Sequence, residues 1–355
     1  MMNSYKLGQV LFFRGLSLIA VLCSVLLLLV ITLGASGYSD KILTSNVDEE
    51  LRGLRGGLAQ TIRDPNELEK VLTLRRNELH VLYGLHNPWY QRIPDTLIDV
   101  VTLDLGQAHT LRSYEGSSNI SDIVLERLPR TLLLVTTAFI ITAIVGLWIG
   151  INIATKAGST TDRMVATFSA ISFALPTWWV GIILILILSI NLHIFPSGGM
   201  YSIPPPEAGL ERFLDLLKHS ILPVLTLVLV SVGPYIYSVR TMTLNIAQED
   251  FVSVARAKGL PNSLIMRRHI LRAAAPPIVT SLTLSLIGSL GGSILVETVF
   301  NWQGMGRLYF DAVAGKPDEG IIIALTFIFT LLYVTARFFL EVIYLILDPR
   351  VRYSF

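Results

Sequence analysis

Residues 16–33 read LSLIAVLCSVLLLLVITL, a run of 18 residues without a charged side chain. A helix that crosses the hydrocarbon core of a bilayer needs about 20 predominantly apolar residues. Arg14 precedes the run and the small residues 34–37 follow it, as they would in a cleaved signal peptide. Because the apolar region of a signal peptide spans about 7–15 residues, we expect this longer run to be retained as a membrane anchor.

Six stretches of the chain, including this one, are long and almost free of charge. They are residues 15–39, 131–155, 164 to about 190, 219–239, 273–296 and 320–336, the last continuing past Arg337 and Glu341 to about residue 347. Each is rich in Leu, Ile and Val, whereas a membrane β-strand shows about ten residues of alternating hydrophobicity. The sequence therefore predicts an all-α integral membrane protein with six transmembrane helices.

The composition supports a membrane protein and excludes several other classes. Of 355 residues, 52% are hydrophobic and 15% are charged, whereas an ordinary soluble domain has about 25% charged residues. The net charge of +2 does not indicate binding to nucleic acid. A single cysteine, Cys23, excludes a disulfide framework within the chain, and the six histidines show no metal-ligand spacing. We therefore expect no metal site.

Lysine and arginine are distributed unequally between the two sides of the predicted membrane. With the N-terminus inside, the inside segments are those before residue 15, residues 155–163, residues 240–277 and those after residue 347. These contain 12 basic and 4 acidic residues, whereas the two short outside loops contain 4 basic and 7 acidic residues. Cytoplasmic loops carry an excess of Lys and Arg, so both termini are predicted to be cytoplasmic.

The spans divide the chain into four parts. We predict an N-terminal segment with the first transmembrane helix over residues 1–36, and an extracytoplasmic insertion between helices 1 and 2 over residues 37–130. A five-helix core over 131–347, with a cytoplasmic loop at 240–277, precedes a cytoplasmic tail at 348–355. Within the insertion, helices are predicted at 46–60 and 66–83. The apolar stripe of the second helix needs a partner surface, which is either the rest of the insertion or another protein.

Residues 248–261 read QEDFVSVARAKGLP and form the most informative cytoplasmic stretch. Acidic residues in the first turn, basic residues in the last turn and Gly259 before Pro261 predict a short helix matched to its dipole. A second helix is predicted from about Pro261, and Pro276-Pro277 should lead into the fifth span. A short helix with small residues between charged ends can lie in a groove of a partner, although basic cytoplasmic loops also arise from membrane topology alone.

This stretch resembles the cytoplasmic coupling loop of ABC-importer permeases, in particular the dipeptide/oligopeptide/nickel branch. In that branch an ARAKGL run follows an acidic-aromatic pair. The resemblance covers nearly the whole chain and includes these motifs: GL at 84–85, PWY at 88–90, DLG at 104–106, RLPRT at 127–131, LPTWW at 175–179, FPSGG at 195–199, LP at 222–223, ETVF at 297–300, GMG at 304–306 and LDPRVRY at 347–353.

The resemblance implies a type I ABC importer permease in the inner (plasma) membrane of a prokaryote. Its implied partners are a second homologous permease subunit, two ABC ATPase subunits and an extracytoplasmic substrate-binding protein. It also implies an ATPase-coupling helix that lies in a groove of an ATPase subunit and includes Glu249, Asp250, Phe251, Ala255, Arg256, Ala257, Lys258 and Gly259.

The chain itself is expected to be a transport subunit and not an enzyme. Its sequence contains no G-x-x-x-x-G-K-[ST] phosphate-binding loop, so we expect no catalytic residues and no bound cofactor. ATP and Mg²⁺ should bind to the partner ATPases. A channel, a secondary transporter or an intramembrane hydrolase is disfavoured because the predicted spans contain no Asp, no Lys and no paired His.

Four residues are candidates for the translocation path or an outer gate. Trp178 and Trp179 follow Pro176, so they either line a passage at a kink in the third span or are lipid-facing or packed aromatic residues. Glu297 and Trp302 either belong to an outer gate or are a solvated acid and an interfacial aromatic residue. For the cargo, the family spans short peptides, nickel chelates and oligosaccharides. We expect di- or oligopeptides, with an oligosaccharide as the main alternative.

Overall fold

The computed structural model of this chain describes residues 4–315 and 317–347. Side chains are described throughout these ranges except at 4–10, 286–292 and 343–347. The predicted tail at 348–355 lies outside the described residues. Apart from loops and an isolated bridge between Gln107 and Asn119, the described part of the chain is helical. The prediction of an all-α protein is therefore confirmed.

The helices, numbered in chain order, have the following bounds. They are α1 (Ser4–Ala35), α2 (Tyr38–Leu58), α3 (Pro65–Leu82), α4 (Trp89–Val101), α5 (Ile120–Ala154), α6 (Thr160–Ala174), α7 (Thr177–Leu184), α8 (Leu210–Ala247), α9 (Asp250–Ala257), α10 (Asn262–Leu264), α11 (Leu271–Val299), α12 (Met305–Phe310) and α13 (Glu319–Leu347). Wider π-helical turns continue α7, α10 and α12 over Ile185–Asn191, Ile265–Ile270 and Asp311–Gly315.

Several of these helices are long and apolar enough to cross a membrane. Within the described residues, four qualify individually: Leu11–Ala35, Ile120–Ala154, Leu210–Ala247 and Glu319–Val342. A fifth crossing results if Thr160–Ala174 and Thr177–Asn191, which are bent by 101° at a short break, form one span. The predicted span at 273–296 lies within the 29-residue helix α11, which is not among those that qualify.

The break in the third predicted span occurs at Leu175-Pro176. Leu175 is extended, with a ψ angle of 127°, because the ring of a following proline disfavours the helical conformation of the residue before it. Pro176 in turn is the N-cap residue of α7, where its missing N–H costs no hydrogen bond. The kink predicted from Pro176 is therefore confirmed.

The chain separates into two compact units. Within the described residues, the first includes residues 4–15, Arg127–Arg307 and residues 335–347, and the second includes Leu16–Glu126 and the described part of 308–334. In the first unit, α5, α8 and α11 pack around a buried apolar core that includes Leu134, Ala138, Leu222, Leu227, Ile236, Val296 and Trp302. This core holds the end of α11 and the loop after it, which carry Glu297 and Trp302.

The second unit contains residues 37–126 of the predicted insertion. Its α2 and α3 pack against each other through the buried residues Val47, Leu51 and Leu79, with Leu72 at the edge of the cluster. The apolar stripe of α3 is thus covered in part by the insertion itself. Docking of another protein on the remaining exposed surface of α3 stays a prediction.

The bounds of two helices in the insertion differ from the predicted ones. Helix α2 begins at Tyr38 and not at residue 46, because Gly37 adopts a left-handed conformation (φ 68°) that ends α1 and lets a new helix start at once. Helix α3 begins at Pro65, one residue before the predicted start. The Asp64 side chain accepts a hydrogen bond of 2.9 Å from the Asn66 N–H, which satisfies a donor at the start of the helix.

Candidate functional site

The predicted short cytoplasmic helix is present as α9, and its C-terminus is fixed by a glycine. Gly259 has a φ angle of +73° and donates its N–H to the Arg256 carbonyl at 2.9 Å. The next residue, Leu260, donates to the Ala255 carbonyl at 3.4 Å. These two bonds form a Schellman motif, which requires a left-handed residue at the position of Gly259.

One face of α9 is attached to the segment that follows it. Val252 and Ala255 are buried against Ile265 and Ile270, and Leu260 packs at the edge of this cluster. Acidic Asp250 lies in the first turn and basic Arg256 in the last turn, which complements the helix dipole. Helix α9 is therefore a stable short rod on the chain and not a mobile loop.

The opposite face of α9 is exposed. Phe251 is 43% exposed and Val254 is 53% exposed, so an apolar pair lies between charged ends. Of the eight residues assigned to the coupling helix, Ala255 is buried within the chain, and the other seven are exposed: Glu249, Asp250, Phe251, Arg256, Ala257, Lys258 and Gly259. Ala255 therefore holds α9 in place, whereas the exposed residues are accessible to a partner. Val254 is also exposed and was not among the predicted residues.

The helical segment after Pro261 continues without interruption into α11. It runs through α10 and the π-helical turn at Ile265–Ile270 before α11 starts at Leu271. Pro276 and Pro277 lie in the second turn of α11, near the start of the predicted fifth span at 273–296. The helix persists through them, although two backbone hydrogen bonds are lost because proline has no N–H.

A largely buried ion pair connects α6 to α8, and its arginine lies ten residues before the start of α9. The Arg240 guanidinium donates from Nε and Nη2 to both carboxylate oxygens of Asp162, with an Nη2–Oδ2 distance of 2.6 Å. The Gly158 N–H donates to the same carboxylate at 2.9 Å. The Asp162 side chain is only 6% exposed. Two-point contacts of this kind fix the relative geometry of the helices that carry them.

We expect the Arg240→Met variant to be less stable than the wild type by about 3–5 kcal/mol, because it leaves the Asp162 carboxylate buried without its partner. The Asp162→Leu/Arg240→Met double variant should recover much of this loss. Thermal unfolding of the purified complex in detergent measures both effects, with Lys156→Met as a control at an exposed base. If Arg240→Met were as stable as the wild type, the ion pair would have no structural role.

Trp178 and Trp179 lie in the first turn of α7, directly after the break at Pro176. Each is 43% exposed, so neither is packed inside the described chain. The exposed part of each ring is accessible to lipid, to a passage or to another chain. A role in lining a passage, a lipid-facing position and packing against another surface all stay predictions.

Glu297 is fully buried at the end of α11, so its interpretation as a solvated acid is wrong. One carboxylate oxygen accepts a hydrogen bond from the Thr131 hydroxyl at 2.9 Å, and the other accepts one from the Arg307 N–H at 3.1 Å. Thr131 in turn accepts a bond of 2.8 Å from the Met305 N–H. The glutamate therefore joins α5, α11 and the start of α12 in one hydrogen-bonded cluster.

Trp302 is also fully buried, which makes its interpretation as an interfacial aromatic residue wrong. Its indole Nε1–H donates to the Arg130 carbonyl at 3.1 Å. Gly304 completes the arrangement, because a Cβ there would lie 2.5 Å from the Thr131 hydroxyl and would overlap the Glu297 carboxylate. Since Glu297 and Trp302 have no exposed surface in the chain, they support the loop at 300–306 and do not themselves line a passage.

An uncharged surface on α11 was not predicted from the sequence. A cavity of about 510 Å³ is lined by Met242, Pro277, Thr280, Ser281, Leu284 and Ser285. The Thr280 hydroxyl donates to the Pro276 carbonyl at 2.7 Å, and the Ser285 hydroxyl donates to the Ser281 carbonyl at 2.9 Å. This cavity wall beside α11 thus contains hydroxyl oxygens and apolar groups and no charged group. The recurrence of hydroxyl residues along one face of α11 is the sequence signal that could have indicated it.

Comparison with known families connects these features to transport. The model of the family described as "Binding-protein-dependent transport system inner membrane component" matches residues 144–353. This range includes α6 to α11 and therefore α9, the Asp162–Arg240 pair and Glu297.

Similar curated proteins and a solved structure are also transport proteins. The oligopeptide transport system permease protein AppB of Bacillus subtilis is 31% identical over 80% of this chain and 87% of its own length. The di/tripeptide transport system permease protein DppB of Pseudomonas aeruginosa is 31% identical over 78% of this chain and 84% of its own. A chain from an inward-facing structure of the MetNI methionine ABC transporter aligns with 65% of this chain and with 99% of its own length, with 16% sequence identity and a TM-score of 0.53. This similarity shows a shared fold.

Proposed function

Since the chain belongs to the family of binding-protein-dependent transport system inner membrane components, we propose that it is one of two homologous permease subunits of an ATP-driven peptide importer. Members of this family are the multi-pass subunits of these transporters in the plasma membrane, and they are not themselves ATPases. Two ABC ATPase subunits and an extracytoplasmic binding protein complete the proposed complex. ATP and Mg²⁺ bind to the ATPases in this proposal.

The proposed subunit crosses the membrane six times, with both termini in the cytoplasm. The spans are α1, α5, the bent pair α6–α7, α8, α11 and α13. Helix α11 has 29 residues, and at about 1.5 Å per residue it is roughly 40 Å long, which exceeds the hydrocarbon thickness of about 30 Å. The excess of Lys and Arg in the inside segments supports the orientation.

The observation that carries the proposal is the geometry of α9. Its buried face and its glycine cap attach it firmly to the chain, while Phe251 and Val254 remain exposed between charged ends. An exposed apolar pair on a stable helix suits a groove on a second protein. We infer that this groove belongs to an ATPase subunit and that α9 transmits its movement to the bundle.

The buried ion pair would transmit a movement of α9 from α8 to α6. Arg240 lies on α8, ten residues before Asp250, and Asp162 lies in the first turn of α6. Because the pair is two-point and buried, α6 and α8 are expected to move together when α9 is displaced. ATP-driven closure of the two ATPases would then switch the permease pair from inward-facing to outward-facing.

Peptides are the proposed cargo. The two relatives described above are named for oligopeptides and for di- and tripeptides. The uncharged wall beside α11 supports this cargo, because peptides differ in the charge of their side chains, and a charged wall would favour one sign over the other.

Photo-crosslinking tests whether α9 contacts an ATPase. With p-benzoylphenylalanine at the exposed position of Val254, we expect irradiation of the intact complex to attach this chain to an ATPase subunit. The matched control places the same residue at Val252, which is on the same helix and fully buried; only internal or no crosslinks are expected there. A lipid adduct as the main product at position 254 would contradict the assignment.

A further inference from the structure

Helix α4 separates its residues completely into an apolar side and a polar side. Its sequence, WYQRIPDTLIDVV, contains eight apolar and five polar residues. Successive residues of an α-helix are about 100° apart around the axis. On this basis the eight apolar residues occupy one continuous arc of roughly 180°, which we call the apolar arc. The five polar residues occupy the rest of the circumference, the polar arc.

One half of the apolar arc packs on two candidate membrane spans. Val100 is buried in an apolar cluster, and Ile93 and Leu97 pack against it. The other buried members of this cluster belong to α1 and α13, and they are Leu22, Leu26, Val30, Ile323, Phe327 and Val334. All of these residues belong to the second unit, so α4 is attached directly to the spans of its own unit.

These contacts place α4 beside the bilayer. The cluster residues of α1 lie inside its candidate span, Leu11–Ala35, of which only 17% of the most apolar window is buried within the chain. The Trp89 ring lies over Gly34 at the end of this span, where a Cβ would overlap it. Tryptophan and tyrosine are enriched at the boundary between membrane and water. The start of α4 therefore lies at the height of this boundary.

The other half of the apolar arc is exposed. Tyr90 is 57% exposed, Ile98 is 61% exposed and Val101 is 55% exposed, and Pro94 between them is exposed as well. These residues adjoin the packed half around the helix. The apolar surface of α1 thus continues onto α4 without a polar residue in between, and lipid that contacts α1 would also contact this half of α4.

The polar arc faces the aqueous part of the insertion. Arg92 forms an ion pair with Asp40 in the first turn of α2. Asp99 lines an open cavity of about 840 Å³ whose wall also includes residues of α2, and Asp95 is exposed. Carboxylates are costly in the hydrocarbon core, so these two residues suit a helix that lies at the membrane surface with its polar arc in water.

Pro94 favours a shallow position of α4. Proline has no N–H, so it cannot donate to the Tyr90 carbonyl four residues earlier. A backbone carbonyl freed in this way is costly in hydrocarbon, where no water can bind to it. At the interface, water and lipid headgroups can donate to this carbonyl.

We propose that α4 is an interfacial helix whose exposed apolar residues contact the acyl chains of membrane phospholipids. Tyr90, Ile98 and Val101 lie among the upper parts of these chains, and the Asp95 and Asp99 carboxylates lie in water. In the orientation proposed above, on which this assignment rests, the lipids are those of the outer leaflet. The predicted extracytoplasmic insertion then includes a segment bound to the membrane beside α1 and α13.

Spin labels on single cysteines measure the position of α4 in the complete complex in phosphatidylcholine liposomes. In a Cys23→Ser background, labels at Ile98→Cys and Val101→Cys should be accessible to oxygen and protected from the water-soluble nickel chelate NiEDDA. The ratio of the two accessibilities should correspond to a depth of about 5–10 Å below the headgroups.

Two matched controls separate lipid contact from mere exposure. Asp95→Cys lies on the polar arc of the same helix, and its label should be accessible to NiEDDA. Leu74→Cys lies on α3 at an apolar residue that is 65% exposed. Lys70 and Glu78, four residues to either side, share its face of the helix, so this label should also be accessible to NiEDDA.

Three results would overturn the proposal. Access of NiEDDA to residues 98 and 101 as high as to residue 95 would place the apolar arc in water. Protection of both labels from both reagents would mean that a protein covers them, such as the second permease subunit or the binding protein. A depth near the bilayer centre, about 15 Å into the hydrocarbon, would mean that α4 enters the membrane core.

Photo-crosslinking gives an independent measurement. With p-benzoylphenylalanine at Ile98, the main product of irradiation should be a phospholipid adduct detected by mass spectrometry, whereas the same residue at Asp95 should give none. A crosslink to another protein chain as the main product at position 98 would overturn the proposal. Neither experiment requires peptide uptake, so failure of this proposal is distinguishable from failure of the transport function.

Discussion

Replacement of Gly259 by valine is expected to reduce ATP-driven uptake by roughly tenfold or more while ATP hydrolysis by the complex continues. A residue with a Cβ in the left-handed conformation costs about 1–2 kcal/mol, and a β-branched one more. Valine would therefore favour another conformation and release the hydrogen bonds from residues 259 and 260 to α9. The end of α9 would fray, and force applied to it would no longer reach the bundle.

The effect of this variant should come from backbone conformation alone. No atom lies within 4 Å of a Cβ built on Gly259, so a larger side chain meets no steric barrier. Asparagine adopts the left-handed conformation readily, and Gly259→Asn should keep most of the uptake. Gly116→Val is a second control, because Gly116 also has a positive φ angle (+88°) and open surroundings. Equal uptake by Gly259→Val and the wild type would contradict the role of α9 as a lever.

Replacement of Glu297 by leucine is expected to have the second large effect, a loss of stability of about 3 kcal/mol or more. The variant leaves the Thr131 hydroxyl and the Arg307 N–H as buried donors without an acceptor, and each such donor costs about 1–3 kcal/mol. The melting temperature of the purified complex measures this loss. The control is Glu211→Leu, since Glu211 is an exposed acid of the same unit.

Two related variants test the same cluster in different ways. Glu297→Gln should cause a smaller loss, because its carbonyl oxygen can still accept one bond while its amide group faces a second donor. Gly304→Ala should resemble Glu297→Leu, because its methyl group would force the carboxylate away from Thr131. If Glu297→Leu were as stable as Glu211→Leu, the glutamate would have no structural role at the C-terminal end of α11.

Local signals were sufficient to predict the helical class and the position of α9. The first turn, the last turn and the glycine cap of α9 lie within 14 residues of sequence, and helix dipoles and caps depend on such near neighbours. The kink at Pro176 was predictable for the same reason. The size of the bend, 101°, was not predictable, because it depends on packing and not on the proline alone.

Contacts between distant parts of the sequence were not predictable. Asp162 and Arg240 are 78 residues apart, and Thr131 and Glu297 are 166 residues apart. Charge counting could assign Asp162 and Arg240 to the cytoplasmic side, but it could not pair them. Glu297 was open to interpretation as a solvated acid because burial depends on which helices surround it.

Uptake of a labelled peptide into proteoliposomes is the most direct test of the transport function. The liposomes contain this chain, its partner permease and the two ATPases, with the binding protein added outside and ATP enclosed. The account predicts uptake that requires both ATP and the binding protein, that is lost in Gly259→Val and that is largely kept in Gly259→Asn. Peptide uptake by this chain alone, without ATP, would contradict it.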